Sequence, residues 1–591
     1  MARTLLDVSK TQAPESYVYT RLAALHFGEI ASIVVSKLMS YERLTAAELA
    51  DRCNLPKRKV YTALVSLAQF NCVSYWADRP KAPVHFSING TGLKVLLHGG
   101  DIIMHMRHVY SNEAAEVVQN AIEHGHLAVK NYMSLFEDPA QRYSRMEVLV
   151  RLYSDGWLRP LQSADFLPVE DVWNRLFQET LKVTPRSSAV SEVKRLAEVK
   201  LAAKAKLMAG FAEGHAKSDV IFVENGVLQL RPHIVLTVDL ARYEKALRSR
   251  AIVDLAALRM GILTAQVYAV CCSLIEQKSP SVKNRLLEVS GLVQTQDEAR
   301  ALLEADESRF LDCRLTVFSV HDVARALPKD LDLFNSVTSR IFAKPAQFGG
   351  EDLLGAPIKK IKLENGSAFP VGSSFDALSG GPNKPDLALV EEHLQLLSAN
   401  AVPFLVRLHD GSYTIPFLQL TRAVKSYNYD ALVKTTMGVE ALRIFRCIKD
   451  QKLADDRTIA KLVLQKEQVV KSLLFDLVAS NFIQIQEIPR SADRAATKSA
   501  YLFRHEARLS YQYVEKFLLF NMGEVLDNIE QFKLQHKILL EKCERDDVRG
   551  YEEELLLEAE LKTLKELQMR EVSNIGRMNR VKWLYVIFGE L

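Results

Sequence analysis

LTAAELADRCNLPKRKVYTALVSLAQFNCVSYWADRPKAPVHFSI, running from Leu44 to Ile88, is the stretch that sets the fold. LTAAELADRCNL reads as a short helix led by Thr45, and Pro56 interrupts it before a second segment, KRKVYTALVSLAQF. There Val60, Ala63, Leu64, Leu67 and Ala68 fall at i, i+3, i+4, i+7 and i+8, the buried stripe of a second helix. Asn71 stops that helix, CVSYW alternates as a strand, ADRPKAP turns, and VHFSI returns. Helix, tight turn, helix and β-hairpin make the winged-helix plan. Its second helix can enter the DNA major groove and its hairpin can touch phosphates. The same plan also serves as a protein–protein joint.

The rest of the chain repeats this unit. Tyr17 to Met39 reads as one long amphipathic helix before it and Leu93 to Val109 as another after it, so residues 1–110 form an extended winged helix. A second unit, 111–184, has LAVKNYMSLF and SRMEVLVRLY as its helices, a strand at WLRPL after Asp155-Gly156, and VEDVWNRLFQETL as its closing helix. Pro160 predicts a short or irregular wing there. Residues 185–231 read as a connecting helix and linker whose exposed face holds Lys194, Arg195, Lys200, Lys204 and Lys206, a basic face for nucleic acid or, as the plainer reading, a solvated one. A third unit, 232–436, begins with the strand IVLTVDL and continues into a helix over Leu240 to Ile275. It carries a Gly-, Pro- and Ser-rich insertion at about 342–385, read as flexible, and a hairpin, FLVRLHDGSYTIPF, around the type I′ pair Asp410-Gly411. In the fourth unit, 437–507, Val470, Leu473, Leu474, Leu477 and Val478 repeat the stripe of the first. Asn481 stands where Asn71 stood, and FIQIQEI alternates as CVSYW does. From 508 to 591 the texture is a coiled-coil hairpin, with helix pairing to another chain as the rival. Leu518, Met522, Val525, Ile529, Phe532, His536, Leu539 and Cys543 form a heptad seam, a break follows at Arg545 to Gly550, and a second apolar run leads to Met578. The fold class is therefore mainly α with small β-hairpins (α+β): four tandem extended winged-helix domains and a C-terminal antiparallel coiled-coil stalk.

Composition narrows the chemistry. A chain of 591 residues with 48% hydrophobic and 25% charged residues is a multidomain globular protein. Its net charge of +4 excludes bulk coating of nucleic acid, so any such contact is local. The seven cysteines form no CxxC pair and suit a reducing compartment. Met1 to Lys10 lacks the apolar core of a signal peptide, and no stretch approaches the ~20 apolar residues of a membrane span, so no membrane partner is expected. No GxSxG, GxxxxGK[ST], GxGxxG or HExxH motif occurs, and no carboxylate cluster suits a polymerase metal site. The pairs His105/His108 and His124/His126 lack ligand-spaced neighbours. No catalytic residue, metal or cofactor is expected.

Candidate contacts lie on the repeated units. Lys57, Arg58 and Lys59 open the helix that meets DNA in a reader of the major groove; they equally suit an acidic protein surface. PRSADRAATKS, between the strands of the fourth unit, carries Arg490, Arg494 and Lys498, with Arg504 at the end of the returning strand. A basic wing of this kind suits phosphate contact without base reading. Lys359, Lys360 and Lys362 form a minimal basic cluster of the nuclear-import type.

LTAQVYAVCCSLIEQKSP (Leu263 to Pro280), IQEIPRSADRAATKSAYLFR (Ile485 to Arg504) and KCERDDVRGYEEELLL (Lys542 to Leu557) carry a resemblance. With the spacing of the third unit and its insertion, the chain resembles, over its whole length, the large winged-helix subunit of the RNA polymerase III initiation heterotrimer. The likeness is to its fungal branch, and the family is related to TFIIE alpha. The resemblance implies a nuclear, non-catalytic subunit on the polymerase clamp with two smaller partner subunits. It implies contacts with initiation factors and with melted or upstream promoter DNA, in support of recruitment and DNA opening at genes for small untranslated RNAs. Arg490, Arg494 and Lys498 would face the cleft, and the stalk would dock on the clamp. The insertion here is short and has no long acidic run. Two other readings of the residues are a free winged-helix transcription factor, with Arg58 and Gln69 as its modest base readers, and a scaffold without nucleic-acid contact.

Overall fold

The computed structural model describes residues 13–79, 82–184, 191–212, 217–224, 226–290, 292–293, 295–313, 316–328, 331–333, 336, 387–408, 410–489, 499–545 and 547–591. The first winged helix is led by two helices rather than one. Gly28, at φ 85° and ψ 179°, divides Tyr17–Met39 into α1 (Pro14–Phe27) and α2 (Glu29–Tyr41), a backbone turn that a side chain would strain. Then follow β1 (Arg43–Thr45), α3 (Ala46–Cys53), α4 (Lys57–Gln69), β2 (Val73–Trp76), β3 (His85–Ile88) and the closing helix α5 (Gly90–Val109). Thr45 and Glu48 cap α3 reciprocally: the Glu48 amide donates to Thr45 Oγ1, and the Thr45 amide donates to Glu48 Oε2 at 2.8 Å. Asn54 and Asn71 end α3 and α4 in the left-handed region, where Asn is the best tolerated residue after glycine. The sheet order is β1-β3-β2.

The second winged helix is built differently from its sequence reading. α6 (Asn112–Glu123), β4 (Leu127–Ala128), α7 (Val129–Met133), α8 (Pro139–Ser154) and β5 (Leu158–Pro160) follow in order. The returning strand does not come next. α9 (Val169–Val183), α10 (Glu192–Ala212), α11 (Lys217–Val220) and the hairpin of β6 (Ile221–Glu224) with β7 (Val227–Leu230) intervene. Only then does β8 (Val235–Val238) pair with both β4 and β5, giving the order β4-β8-β5. IVLTVDL thus completes the second unit instead of opening the third. VEDVWNRLFQETL, which is α9, lies inside the wing, and α12 (Leu240–Met260) follows the sheet as the closing helix. Nor is α10 a solvated connector. Trp173 of α9 and Ala203 and Leu207 of α10 share a core with Leu286, Val289 and Leu292. Arg195, expected on the basic face, is buried and donates from Nη2 to the carbonyls of Leu181 and Thr184 at 3.3 and 3.1 Å, satisfying the open end of α9.

Residue contacts group into two units. One comprises the chain up to Glu244, Ser281–Ala299 and Lys425–Leu591; the other comprises Lys245–Pro280 and Arg300–Val424. The second holds the third winged helix. Gly261, at φ 92°, separates α12 from α13 (Ile262–Glu276), where the sequence suggested one continuous helix. α14 (Gln296–Asp312), α15 (Val320–Ala326), α16 (Leu387–Ser398), β9 (Val406–Arg407) and β10 (Tyr413–Thr414) follow, and Phe318 bridges to Tyr413 as the third strand position. Within this unit Val267, Cys271, Val390, Leu394 and Ile415 are buried. The β9–β10 turn is not type I′. Gly411 has φ 75° while Asp410 is not at positive φ, and the Gly411 amide donates to the Leu408 carbonyl at 3.1 Å. The insertion read at 342–385, with Lys359, Lys360 and Lys362, lies outside the described residues.

The fourth winged helix repeats the first almost residue for residue. α17 (Phe417–Gln451) breaks at Gly438, φ 92° and ψ 177°, as the first copy breaks at Gly28. β11 (Leu453–Ala454), α18 (Asp456–Val463), α19 (Glu467–Ala479), β12 (Gln484–Pro489) and β13 (Ser499–Arg504) give the order β11-β13-β12. Left-handed Glu42, Asn54 and Asn71 recur as Lys452, Leu464 and Asn481, at the same offset as the two glycines.

α20 (Ala507–Gln535) closes the fourth copy and opens the stalk. α21 (Lys537–Cys543), α22 (Glu552–Leu555) and α23 (Glu558–Tyr585) complete it, followed by a π-turn at Val586–Glu590. The heptad seam breaks at His536, earlier than the sequence indicated. Lys533 pairs with Glu571 at 2.7 Å and Lys542 with Glu560 at 2.7 Å, an antiparallel arrangement within one chain.

Candidate nucleic-acid and partner interface

α4 buries Val60, Ala63, Leu64 and Leu67, as its stripe predicts. Gly92 lets α5 cross the end of this helix, since a Cβ there would lie 2.4 Å from the Phe70 carbonyl oxygen. The opposite face is exposed: Lys57, Arg58 and Lys59 in the first turn, then Tyr61, Thr62 and Val65. Pro56 stands at the N-cap without a side-chain acceptor, and the first turn has no acid. Gln69, the amide expected to be available for base reading, donates from Nε2 to the His124 carbonyl at 3.0 Å. It is held by the second winged helix.

In the fourth copy, β12 and β13 pair through six residues, from Gln484↔Arg504 to Pro489↔Ser499. The segment between the two strands, with Arg490, Arg494 and Lys498, lies outside the described residues. Its stem is polar at the far end, where Ser499 Oγ donates to Glu487 Oε1 at 2.7 Å. Arg504 sits at the opposite end of the ribbon, about 17 Å along the strand from Ser499 at ~3.4 Å per residue. There it lies beside Leu453 and Gln484, with Nη1 3.8 Å from the Glu506 carboxylate.

The sequence reading missed the contacts between the two ends of the chain. α20 packs on α1: Tyr17 stacks on Phe520 at 5.9 Å, and Arg21 bridges Asp527 and Glu530. Gly523 makes this approach possible, because a Cβ there would collide with the Tyr17 ring. The π-turn is buried. Phe588 packs between Tyr511 and Tyr429, at 5.6 and 6.1 Å. Glu590 lies 3.1 Å from His98 Nε2 on α5, and Lys582 pairs with Asp101 at 2.5 Å. Burial disfavours a charged His98, but the Asp101 carboxylate, 3.8 Å from Nδ1, and the hydrogen bond with Glu590 outweigh it and hold its pKa above the ordinary value. Burial likewise works against ionised Glu590, yet the His98 hydrogen bond and the nearby cations keep its pKa below the ordinary carboxylate value. No motif announces such a lock; its only sequence signal is the apolar run Trp583 to Phe588.

Among the described residues, no group of three His, Cys, Asp or Glu side chains is placed to hold a metal ion, and no helix is long and apolar enough to cross a membrane. A groove of about 800 Å³ between the stalk helices is lined by Phe532, Leu540, Leu561 and Leu564 together with Glu544 and Arg549.

Four family models match the chain in order. RNA polymerase III subunit RPC82 matches residues 147–424, and its helix-turn-helix domain matches 17–78. The C-terminal winged-helix domain of POLR3C matches 429–505, and the helical hairpin domain of DNA-directed RNA polymerase III subunit RPC3 matches 538–589. The chain is 44% identical to DNA-directed RNA polymerase III subunit RPC3 of Debaryomyces hansenii over 98% of each protein. The same-named subunits of Candida albicans and Saccharomyces cerevisiae are 40% and 32% identical, over 100% and 98% of this chain and 100% and 94% of their own lengths. The chain belongs to the RPC3 family of RNA polymerase III subunits. It is an accessory subunit of that polymerase and not its catalytic one, and it works with other polymerase subunits. Membership in that family takes away the reading as a free transcription factor.

Proposed function

We propose that this subunit sits on the clamp of nuclear RNA polymerase III with two smaller partner subunits. There it links the enzyme to initiation factors and helps open promoter DNA at genes for small untranslated RNAs. The observation that carries the DNA part is the six-pair β12–β13 ribbon, which leads to Arg490, Arg494 and Lys498. Arg490, Arg494 and Lys498 follow this ribbon directly in the sequence, and phosphate contact needs local positive charge without base recognition. Lys57, Arg58 and Lys59 are assigned no DNA role here. Replacing Arg490, Arg494 and Lys498 by glutamine tests the reading. Open-complex formation on a promoter should fall, and each lost phosphate contact should reduce the salt slope by ~0.7–0.9. Unchanged opening with an unchanged slope refutes it.

The clamp part rests on the outer face of α23, where Met569 and Val572 are 75% and 69% exposed. Deleting the stalk from Leu509 onward is a poor test, because α20 and the π-turn also hold the first winged helix. Met569→Glu with Val572→Glu is cleaner: the chain should fold and yet lose co-purification with the large polymerase subunits. Full retention of those subunits counts against docking through α23.

A further inference from the structure

The exposed face of α4 carries two kinds of residue that the described residues leave uncovered. Lys57, Arg58 and Lys59 are all exposed, and none pairs with a carboxylate of the described residues. One and two turns on, Tyr61 and Val65 are 54% and 67% exposed. Arg58, Tyr61, Thr62 and Val65 fall at i, i+3, i+4 and i+7, so they form one stripe.

The fold does not demand this stripe. The equivalent positions on α19 are Glu467, Gln468 and Val469 for the three cations, and Lys471 and Phe475 for Tyr61 and Val65. Two helices with the same interior and the same flanking turns thus present opposite charge in the first turn.

A DNA duplex would answer the cations and the Tyr61 hydroxyl but not the Tyr61 ring or Val65, which stands where a base reader needs a hydrogen-bonding group. The one amide on this face, Gln69, is occupied by the His124 carbonyl. A protein segment that alternates carboxylates with apolar side chains answers both. We infer that the α4 face docks an acidic, amphipathic segment of another protein chain. Its carboxylates meet Lys57, Arg58 and Lys59, and its apolar side chains cover Tyr61 and Val65. Charge brings the segment in and sets its register, and the two apolar contacts hold it.

The test uses polymerase purified through the full-length chain. A carbodiimide joins a lysine amine to a carboxylate only in direct contact, so Lys57 and Lys59 should couple to Asp or Glu of another chain. A photoreactive amino acid placed at Val65 should mark the same segment. K57Q/R58Q/K59Q should cut the Val65 adduct at least tenfold at physiological salt. Val65 adducts on nucleic acid, adducts on a segment without net negative charge, or no adduct at all each overturn the inference. It rests on the polymerase reading only for its material. If the chain purifies without the polymerase, that reading fails, and the same cross-links in the assembly it does enter still decide the docking.

Discussion

α4 and α19 are one helix used twice. Val60, Leu64 and Leu67 recur as Val470, Leu474 and Leu477, all buried, and left-handed Asn71 recurs as Asn481. Their outer faces differ: Lys57, Arg58 and Lys59 against Glu467, Gln468 and Val469, and Val65 against a Phe475 that is 62% exposed. The inner face obeys one constraint, close packing in the interior of its own winged helix. The outer face obeys whatever meets it. The two faces share an exposed apolar residue at the centre and differ in the charge of the first turn.

The C-terminal π-turn joins these copies, and its removal has the largest expected effect. Phe588 packs with Tyr429 and Tyr511 of the fourth copy, whereas Glu590 meets α5 of the first. Phe588→Ala should cost about 3–5 kcal/mol, chiefly in the fourth copy, as a loss of amide hydrogen-exchange protection in α19 greater than that in α4. Equal loss in both helices would mean that the turn staples the unit as a whole.

Next come the equivalent core leucines. Leu67→Ala and Leu477→Ala should each cost about 2–5 kcal/mol and agree closely with each other, since both side chains are fully buried at matching positions. Hydrogen exchange reads each copy separately, where a single unfolding curve of so large a chain would not. A wide disagreement would break the claim of a shared interior.

The inner face is also what the sequence made legible. The stripes of α4 and α19, the asparagine stops and the alternating strands are local signals, and they disclosed the repeat and the winged-helix class. The second wing stayed hidden because β5 and β8 are separated by three helices and a hairpin, and neither strand announces a distant partner. Loop closure grows only slowly with length, so the fold tolerates such an insertion at little cost. Glycines 28, 261 and 438 sit inside amphipathic runs whose periodicity continues across them; only the backbone angles reveal the breaks. Arg195 was misplaced because a cation among lysines looks solvated, while its real task is to satisfy two carbonyls at the end of α9. The contact of α1 with α20 and the His98–Glu590 pair join opposite ends of the chain, beyond any local pattern. For the candidate DNA site, the basic residues are read from the sequence alone, and the structure describes only the strands on either side of them.

A smaller effect is expected at that pair. Glu590→Gln should cost about 1–3 kcal/mol in the first copy, since a buried partner loses its counter-charge. The pH dependence has a definite sign. His98 is raised by its partners, so its contribution is full below its ordinary value of 6.5 and is lost as pH rises through the higher folded value. Glu590 is lowered, so its contribution is present above its ordinary 4.5 and is lost as pH falls through the lower folded value. The first copy should therefore be most protected between those two ordinary values, and Glu590→Gln should flatten the alkaline limb. An alkaline limb as steep as in the unaltered chain would show that the pair does not govern it.

The smallest effect separates the two faces most directly. Three cations lie at the positive end of α4, with Pro56 as the N-cap and no acid in the first turn, whereas α19 starts with Glu467. Each such cation opposes the helix dipole by ~0.3–1 kcal/mol. Lys57→Glu, which gives α4 the residue that α19 has, should therefore raise the protection of the α4 amides by about that amount. The same substitution should weaken the docking of an acidic segment on this face. Higher protection with weaker docking would mean that the first copy keeps a less stable helix end for the sake of a partner. Lower protection would instead mean that Lys57 supports its own fold, and the contrast between the two helices would lose its functional reading.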